Sequence, residues 1–183
     1  MLAEQPGPVN SSAGMGVIAD AAWRDVDPAS LDTLLIPGGA GEARQCENQP
    51  LLSWLRDAEL HIRRLGSVCS GALILARTGL LDGRRVTTHW ADIDALRQEG
   101  KLLVDSDCLH TYQPNAGDGS EHLFTSAGVT AGIDLALALV EADLGRSTAL
   151  AVARRLVMFL RRPGGQAQFS ALLAPEPSRT PRL

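Results

Sequence analysis

Short apolar runs and stretches with helical spacing alternate along this chain. Leu31–Ile36 is an apolar run that stops at Pro37-Gly38-Gly39, which predicts a buried strand followed by a tight loop. Asn48 is placed to cap a helix that has Pro50 in its first turn. The apolar positions of this helix recur every three or four residues, at Leu51, Leu55, Ala58 and Ile62.

The rest of the chain repeats this order of strand and helix. The strand-like segments are Leu65–Val68, Val86–Thr88, Leu102–Val104, Leu109–Gln113 and His122–Thr125. The segments with helical character are Ser70–Thr78, Ala91–Gln98, Thr130–Leu144 and Ser147–Arg162. Because Asn115–Gly119 is rich in turn-forming residues, residues 109–113 and 122–125 are predicted to form a hairpin.

Strands that alternate with helices favour an α/β fold, a three-layer sandwich with a mostly parallel sheet and helices on both faces. Residues 1–10 are predicted to end one element in a turn, and residues 11–18 to form a short extended arm. Several prolines follow residue 162, so we predict one domain over residues 1–165 and a linker or C-terminal tail over residues 166–183.

Composition narrows the function classes. The chain has 183 residues, is 45% apolar and has a net charge of −4, which suits one globular domain and gives no reason to expect nucleic acid across its whole surface. It has no apolar stretch long enough to span a membrane and no secretory signal. We therefore expect a cytoplasmic location, no membrane partner and three reduced cysteines.

Cys69 is the main candidate for a reactive group. It lies where a predicted strand becomes a helix, in Gly66-Ser67-Val68-Cys69-Ser70-Gly71-Ala72, and such a sharp turn requires small neighbours. A thiol at a helix N-terminus is expected to favour its thiolate form. The alternative is a buried structural cysteine, which is among the commonest roles of this residue.

Two further segments are predicted to lie beside Cys69. The N–H groups of the Pro37-Gly38-Gly39 loop are candidates for binding an anion, or the loop is only a turn that needs glycine. His89 ends the next strand and is a candidate for orienting or deprotonating the thiol, unless it is a packing residue. Cys46, Cys108 and the remaining histidines have no metal-ligand spacing, so neither a metal nor a cofactor is predicted.

Four motifs resemble the ThiJ/PfpI superfamily in order and spacing: Leu34–Gly39, Val68–Gly71, Val86–His89 and Thr125–Gly128. The resemblance implies a flavodoxin-like fold, related to class I glutamine amidotransferases, with a nucleophile-elbow cysteine. It also implies a reactive site at Cys69 and His89, with the Pro-Gly-Gly loop beside it.

Two other segments indicate a subfamily. Residues 128–137 resemble both isonitrile hydratases and the sensor domains of AraC-type, GlxA-like transcription regulators, whereas residues 152–170 resemble the regulators alone. Members of the superfamily normally begin with a further strand and helix, and that strand ends near an acidic residue facing the cysteine. The chain is expected to lack both, to leave a gap in its sheet, and to lack the helix-turn-helix region through which such a regulator binds DNA.

These observations give two function hypotheses. The first is the ligand-sensing domain of an AraC-type regulator, a homodimer whose small-molecule effector contacts Pro37–Gly39, Cys69, Ser70 and His89. The second is a hydrolase or hydratase of the isonitrile hydratase or PfpI type, in which Cys69 attacks and Ser70 assists. A redox-sensing role for the Cys69 thiol is a third possibility.

Overall fold

The computed structural model describes residues 1–11, 14–160, 162 and 165. The strands are β1 (Leu2–Ala3), β2 (Gly7–Asn10), β3 (Gly16–Ala19), β4 (Ala21–Ala22), β5 (Thr33–Ile36), β6 (Arg64–Val68), β7 (Arg85–Val86), β8 (Leu103–Val104) and β9 (Leu123–Ser126). The α-helices are α1 (Glu42–Cys46), α2 (Gln49–Glu59), α3 (Gly71–Ala76), α4 (Ile93–Arg97), α5 (Val129–Leu144) and α6 (Arg146–Arg155).

The central sheet has the strand order β5-β6-β9, and both of its strand pairs are parallel. All four residues of β9 and the first four of β6 are buried, as expected for strands covered by helices on both faces. Leu65 and Leu75 lie in the main apolar cluster and have no solvent exposure. The predicted α/β class with mostly parallel strands is confirmed.

The α2 helix begins as the sequence predicts. The Asn48 side chain accepts a hydrogen bond from the backbone N–H of Leu51 at 3.2 Å, and Pro50 lies in the first turn. Leu52, Leu55 and Ala58 form its buried face. The cap and the apolar spacing therefore hold this helix against the central sheet.

The predicted hairpin over residues 109–125 is wrong as a regular hairpin. Residues 109–113 form no strand, and β9 pairs in parallel with β6. A short antiparallel contact remains, because the N–H of Thr111 donates to the carbonyl of Thr125 at 2.9 Å and that of Ala127 to the carbonyl of Leu109 at 2.8 Å. Burial of β9 beside β6 outweighs the turn signal of residues 115–119. Residues 109–113 therefore only contact the edge of β9.

The last helix is shorter than predicted, because α6 ends at Arg155 and not at Arg162. Val157 has a φ of 55°, a left-handed conformation that stops the helix. Arg154 and Arg155 lie in the last turn, as expected for side chains that complement the helix dipole. Arg162 instead donates to the buried carboxylate of Asp134 on α5.

The N-terminal prediction is also wrong in detail. Residues 7–10 form β2, which pairs antiparallel with β3, and β1 pairs in parallel with β4. Among the described residues, β5 has a strand partner on one side only, and its Leu35 side chain is 41% exposed. A cavity of about 560 Å³ is lined by residues of both β1 and β5.

Residues 166–183, most of the predicted tail, lie outside the described part of the chain. In the part that is described, no helix combines the length and apolarity needed to cross a membrane.

Candidate functional site

Cys69 occupies a sharp turn between β6 and α3. Its φ is 58°, a conformation that side-chain-bearing residues rarely adopt and that persists only where the surroundings enforce it. Its N–H donates to the carbonyls of Ser126 at 3.0 Å and Ala127 at 2.8 Å, at the end of β9. Its carbonyl accepts a hydrogen bond from the Thr88 hydroxyl at 2.8 Å. Two neighbouring segments of the fold therefore fix the turn, and the side chain is half-buried.

The Pro37-Gly38-Gly39 loop packs directly against this turn. A Cβ at Gly38 would lie 2.6 Å from the backbone nitrogen of Ser70 and 2.9 Å from the Cβ of Cys69, so only glycine fits. The N–H of Gly39 donates to the Ser70 hydroxyl at 3.1 Å. One N–H that the sequence offered for anion binding is therefore already used inside the protein, and Pro37 turns toward the 560 Å³ cavity.

His89 lies beside the turn, but in the described part of the chain no hydrogen bond joins its imidazole to the Cys69 thiol. Its Nδ1 accepts a hydrogen bond from the N–H of Ala91 at 3.3 Å, which caps the short 3₁₀ helix Trp90–Asp92. Its ring leaves no room for a side chain at Gly128 and packs against the tilted ring of Trp90, with 5.2 Å between the ring centroids. The structure thus brings Cys69, Ser70, Gly38 and Gly39 together and places His89 at their margin.

The expected preference of Cys69 for its thiolate form is wrong. Burial raises the pKa of the thiol above its ordinary value, and this outweighs the hydrogen bonds from the backbone and hydroxyl of Ser70, which lower it. The negative charges of Asp92 and Glu42 raise the pKa further.

Asp92 and Glu42 are charged neighbours of Cys69 that the sequence did not reveal. Glu42 opens α1 directly after the glycine loop, and Asp92 ends the 3₁₀ helix that His89 caps. Both act on the thiol electrostatically. Glu42 lies three positions after Gly39, and Asp92 lies three positions after His89. This closeness in sequence to two predicted site residues was the signal that could have found them.

We expect Cys69 to react slowly with iodoacetamide at pH 7 and to reach its half-maximal rate above the ordinary thiol pKa of 9.0. The protein for this measurement carries Cys46→Ser and Cys108→Ser, so that Cys69 is the only thiol. Adding Asp92→Asn removes a negative charge and should lower the midpoint, whereas adding Ser70→Ala should raise it. A midpoint below 9.0 in the parent protein would contradict this account.

The other cysteines and histidines do not join this site. Burial raises the pKa of Cys108 to about 11, and Cys46 packs at the edge of the main apolar cluster. His122 contacts the Arg63 carbonyl and Glu59, and His61 contacts the Asp57 carbonyl. Across residues 1–11, 14–160, 162 and 165, no three His, Cys, Asp or Glu side chains are grouped to hold a metal ion.

A sequence model of the DJ-1/PfpI family matches residues 1–142, which include the glycine loop, the cysteine turn, His89 and β9. The chain belongs to the DJ-1/PfpI family. The resemblance to the ThiJ/PfpI superfamily is therefore confirmed.

Two relatives of this chain correspond to the two function hypotheses. An isonitrile hydratase from Pseudomonas putida is 38% identical over 149 residues, which are 81% of this chain and 60% of the hydratase. The HTH-type transcriptional regulator CdhR from Pseudomonas aeruginosa is 34% identical over 164 residues, which are 89% of this chain and 46% of the regulator. The chain thus spans about half the length of these two relatives.

Solved structures of the family share the fold. A ThiJ/PfpI family protein from Pseudomonas syringae superposes with a TM-score of 0.70 at 28% identity, covering 97% of this chain and 64% of that protein. Drosophila melanogaster DJ-1beta superposes with a TM-score of 0.67 at 23% identity, covering 84% of this chain and 78% of that protein. The flavodoxin-like arrangement of the family is thereby confirmed.

Proposed function

We propose that this DJ-1/PfpI domain is the ligand-sensing and dimerising domain of an AraC-type transcription regulator in the cytoplasm. The observation that carries the proposal is the similarity to the regulator CdhR, which extends over 89% of this chain but less than half of the regulator. A second regulator, GbdR from Pseudomonas aeruginosa, is 31% identical over 80% of this chain. This chain is then the sensor part, and DNA is contacted through a helix-turn-helix region.

The chemistry at Cys69 favours binding over turnover. A nucleophilic cysteine is normally activated by an adjacent base or by a lowered pKa. Here the pKa of the thiol is raised, and the imidazole of His89 accepts from a backbone N–H. A half-buried thiol with a raised pKa, beside a serine hydroxyl, is suited to contact a small-molecule effector. Pro37, Gly38, Gly39, Ser70 and His89 complete the proposed contact set.

Helices α5 and α6 support the proposed homodimer. They pack against each other and carry apolar side chains that stay exposed in the monomer. These side chains are Val129, Ile133, Leu144 and Val152, together with Leu156 directly after α6. An isologous contact between two copies would bury them, as two-fold dimers do.

A fusion to a monomeric DNA-binding domain tests the proposal. The chain is joined through its C-terminus to a domain that represses a reporter only as a dimer. We expect repression by the fusion and a monomeric, inactive fusion when Val129→Glu and Ile133→Glu are introduced. Leu60→Glu serves as the control, because Leu60 is also exposed but lies at the end of α2, outside α5 and α6. Equal repression by all three fusions would contradict the dimeric sensor.

The alternative function is a cysteine-dependent hydratase or hydrolase. The 38% identity to the isonitrile hydratase and the strained turn at Cys69 favour it. Incubation with an isonitrile, followed by detection of the N-substituted formamide, separates the two proposals. Product formed by the protein but not by Cys69→Ala would establish the hydratase; no product from either is the result expected for a sensor.

A further inference from the structure

The main chain of Cys69 is held on both sides of the residue. Its N–H donates to two carbonyls at the end of β9, and its carbonyl accepts a hydrogen bond from the Thr88 hydroxyl at 2.8 Å. The same carbonyl accepts the N–H of Ala72 at 3.2 Å, but that hydrogen bond lies within the turn itself. Thr88 therefore supplies the contact that ties the carbonyl side of Cys69 to another segment of the fold.

This contact matters because of the unusual backbone conformation of Cys69. Its φ of 58° is unfavourable for a residue with a side chain, so it persists only where the peptide groups on both sides are fixed. Without the Thr88 hydrogen bond, the peptide group that follows Cys69 is held only from within its own turn. Rotation to a negative φ would then move the side chain away from Gly38, against which it packs, and expose the thiol.

Thr88 is itself fixed by the sheet. The residue has no solvent exposure, and a β-branched side chain has few rotamers. The N–H of the preceding residue, Thr87, donates to the hydroxyl of Thr125 at 2.7 Å, and Thr125 is fully buried in β9. The hydroxyl of Thr88 therefore reaches Cys69 from a rigid part of the molecule.

We propose that Thr88 is a positioning residue of the candidate site, whose hydroxyl keeps Cys69 in the left-handed conformation. Thr88 directly precedes His89, so this hydroxyl joins the segment that carries the histidine to the cysteine turn. A ligand that shifts this segment through His89 would thereby act on Cys69 without touching it. The inference rests on Cys69 as the centre of the proposed function, and it applies to a sensor and to a hydratase alike.

Alkylation of Cys69 by iodoacetamide tests the role of Thr88, in the protein that carries Cys46→Ser and Cys108→Ser. Thr88→Val keeps the shape of the side chain and removes the hydroxyl. We expect the alkylation rate at pH 7 to rise about fivefold, because losing one hydrogen bond of ordinary strength raises the population of the open turn by about this factor. The pH midpoint should also fall toward 9.0, because opening reduces the burial of the thiol. An unchanged rate and midpoint would overturn the inference.

A second pair of variants isolates the hydroxyl, even if Thr88→Val does not fold. Thr88→Ser and Thr88→Ala differ in one oxygen atom. Thr88→Ser should alkylate within about twofold of the parent rate, whereas Thr88→Ala should show the faster rate expected for Thr88→Val. Equal rates in Thr88→Ser and Thr88→Ala would overturn the inference.

Thr78→Val controls for a general loosening of the fold. The buried Thr78 hydroxyl also donates to a main-chain carbonyl, that of Leu75, but it lies beyond the C-terminal end of α3. Alkylation of Cys69 in this variant should match the parent, and a rise equal to that in Thr88→Val would contradict a specific role of Thr88. The measurement needs no effector, isonitrile or DNA-binding fusion, so its failure is distinct from a failure of the proposed function.

Discussion

Gly71→Ala is expected to destabilise the protein by about 3 kcal/mol, one of the largest effects of a single methyl group in this chain. A Cβ at residue 71 would lie 2.3 Å from the carbonyl oxygen of Ile36 and 2.9 Å from that of Pro37. Both are backbone atoms, so the clash is not relieved by a change of rotamer. The end of β5 must move away from α3, which also separates the glycine loop from Cys69. Urea unfolding followed by circular dichroism measures the loss.

Gly41→Ala is the matched control. Gly41 precedes α1, and a Cβ there would meet no atom within 4 Å. Its φ of −92° is accessible to alanine, so stability should change by less than about 1 kcal/mol. If the two variants lost similar amounts of stability, the steric explanation for Gly71→Ala would be wrong.

Asp143→Asn is expected to destabilise the protein by about 3 kcal/mol at pH 7, because it leaves a buried guanidinium without its counter-charge. Arg64 is 5% exposed and donates two hydrogen bonds of 2.7 Å to Asp143 and one of 2.8 Å to the hydroxyl of Tyr112. After the substitution, the Tyr112 hydroxyl and a neutral amide replace the ion pair among the partners of Arg64 in the described part of the chain. Urea midpoints of the variant and the parent between pH 7 and pH 2.5 give the comparison.

The difference in stability between the parent and Asp143→Asn should shrink as the pH falls. Hydrogen bonds from Arg64, and then those from Arg63, hold the pKa of Asp143 well below the ordinary carboxyl value. The stabilisation is therefore complete above the unfolded pKa, about 3.9, and is lost as the pH falls through the folded pKa. The gap between parent and Asp143→Asn should narrow toward pH 2.5.

Asp94→Asn is the control for the acid titration. Asp94 pairs with Arg97 on the surface with 87% of its side chain exposed, so its loss should cost less than about 1 kcal/mol. A gap between parent and Asp143→Asn that stays constant down to pH 2.5 would contradict the role of the ionised carboxylate.

The elements that carry their own signals were predictable. The Asn48 cap and the apolar spacing of α2 are local, and both are found in the structure. The apolar runs that became β5, β6 and β9 were also recognised, because a strand buried on both faces needs uninterrupted apolar residues. The partner of β9 was not predictable, since the turn residues 115–119 suggest a hairpin while burial selects β6.

The sequence predicted that the cysteine turn and the glycine loop meet, but it did not predict the electrostatics around Cys69. Cys69, Ser70 and the glycine loop meet as expected, because small residues around a strand-to-helix turn have few other uses. The shift in the pKa of the Cys69 thiol was predicted in the wrong direction. Desolvation and the charges of Asp92 and Glu42 depend on how distant segments pack, and no spacing within the motif records them.

The sequence by itself determined the alternation of strands and helices, the position of the sharp turn and the family, since each rests on local patterns of residue size and polarity. Only the tertiary structure decided that the last helix ends before Arg162, which binds Asp134, and that burial raises the pKa of the Cys69 thiol. The physical reason is that charge and desolvation depend on segments far apart in the chain, whereas the patterns that predict strands and helices depend on neighbouring residues.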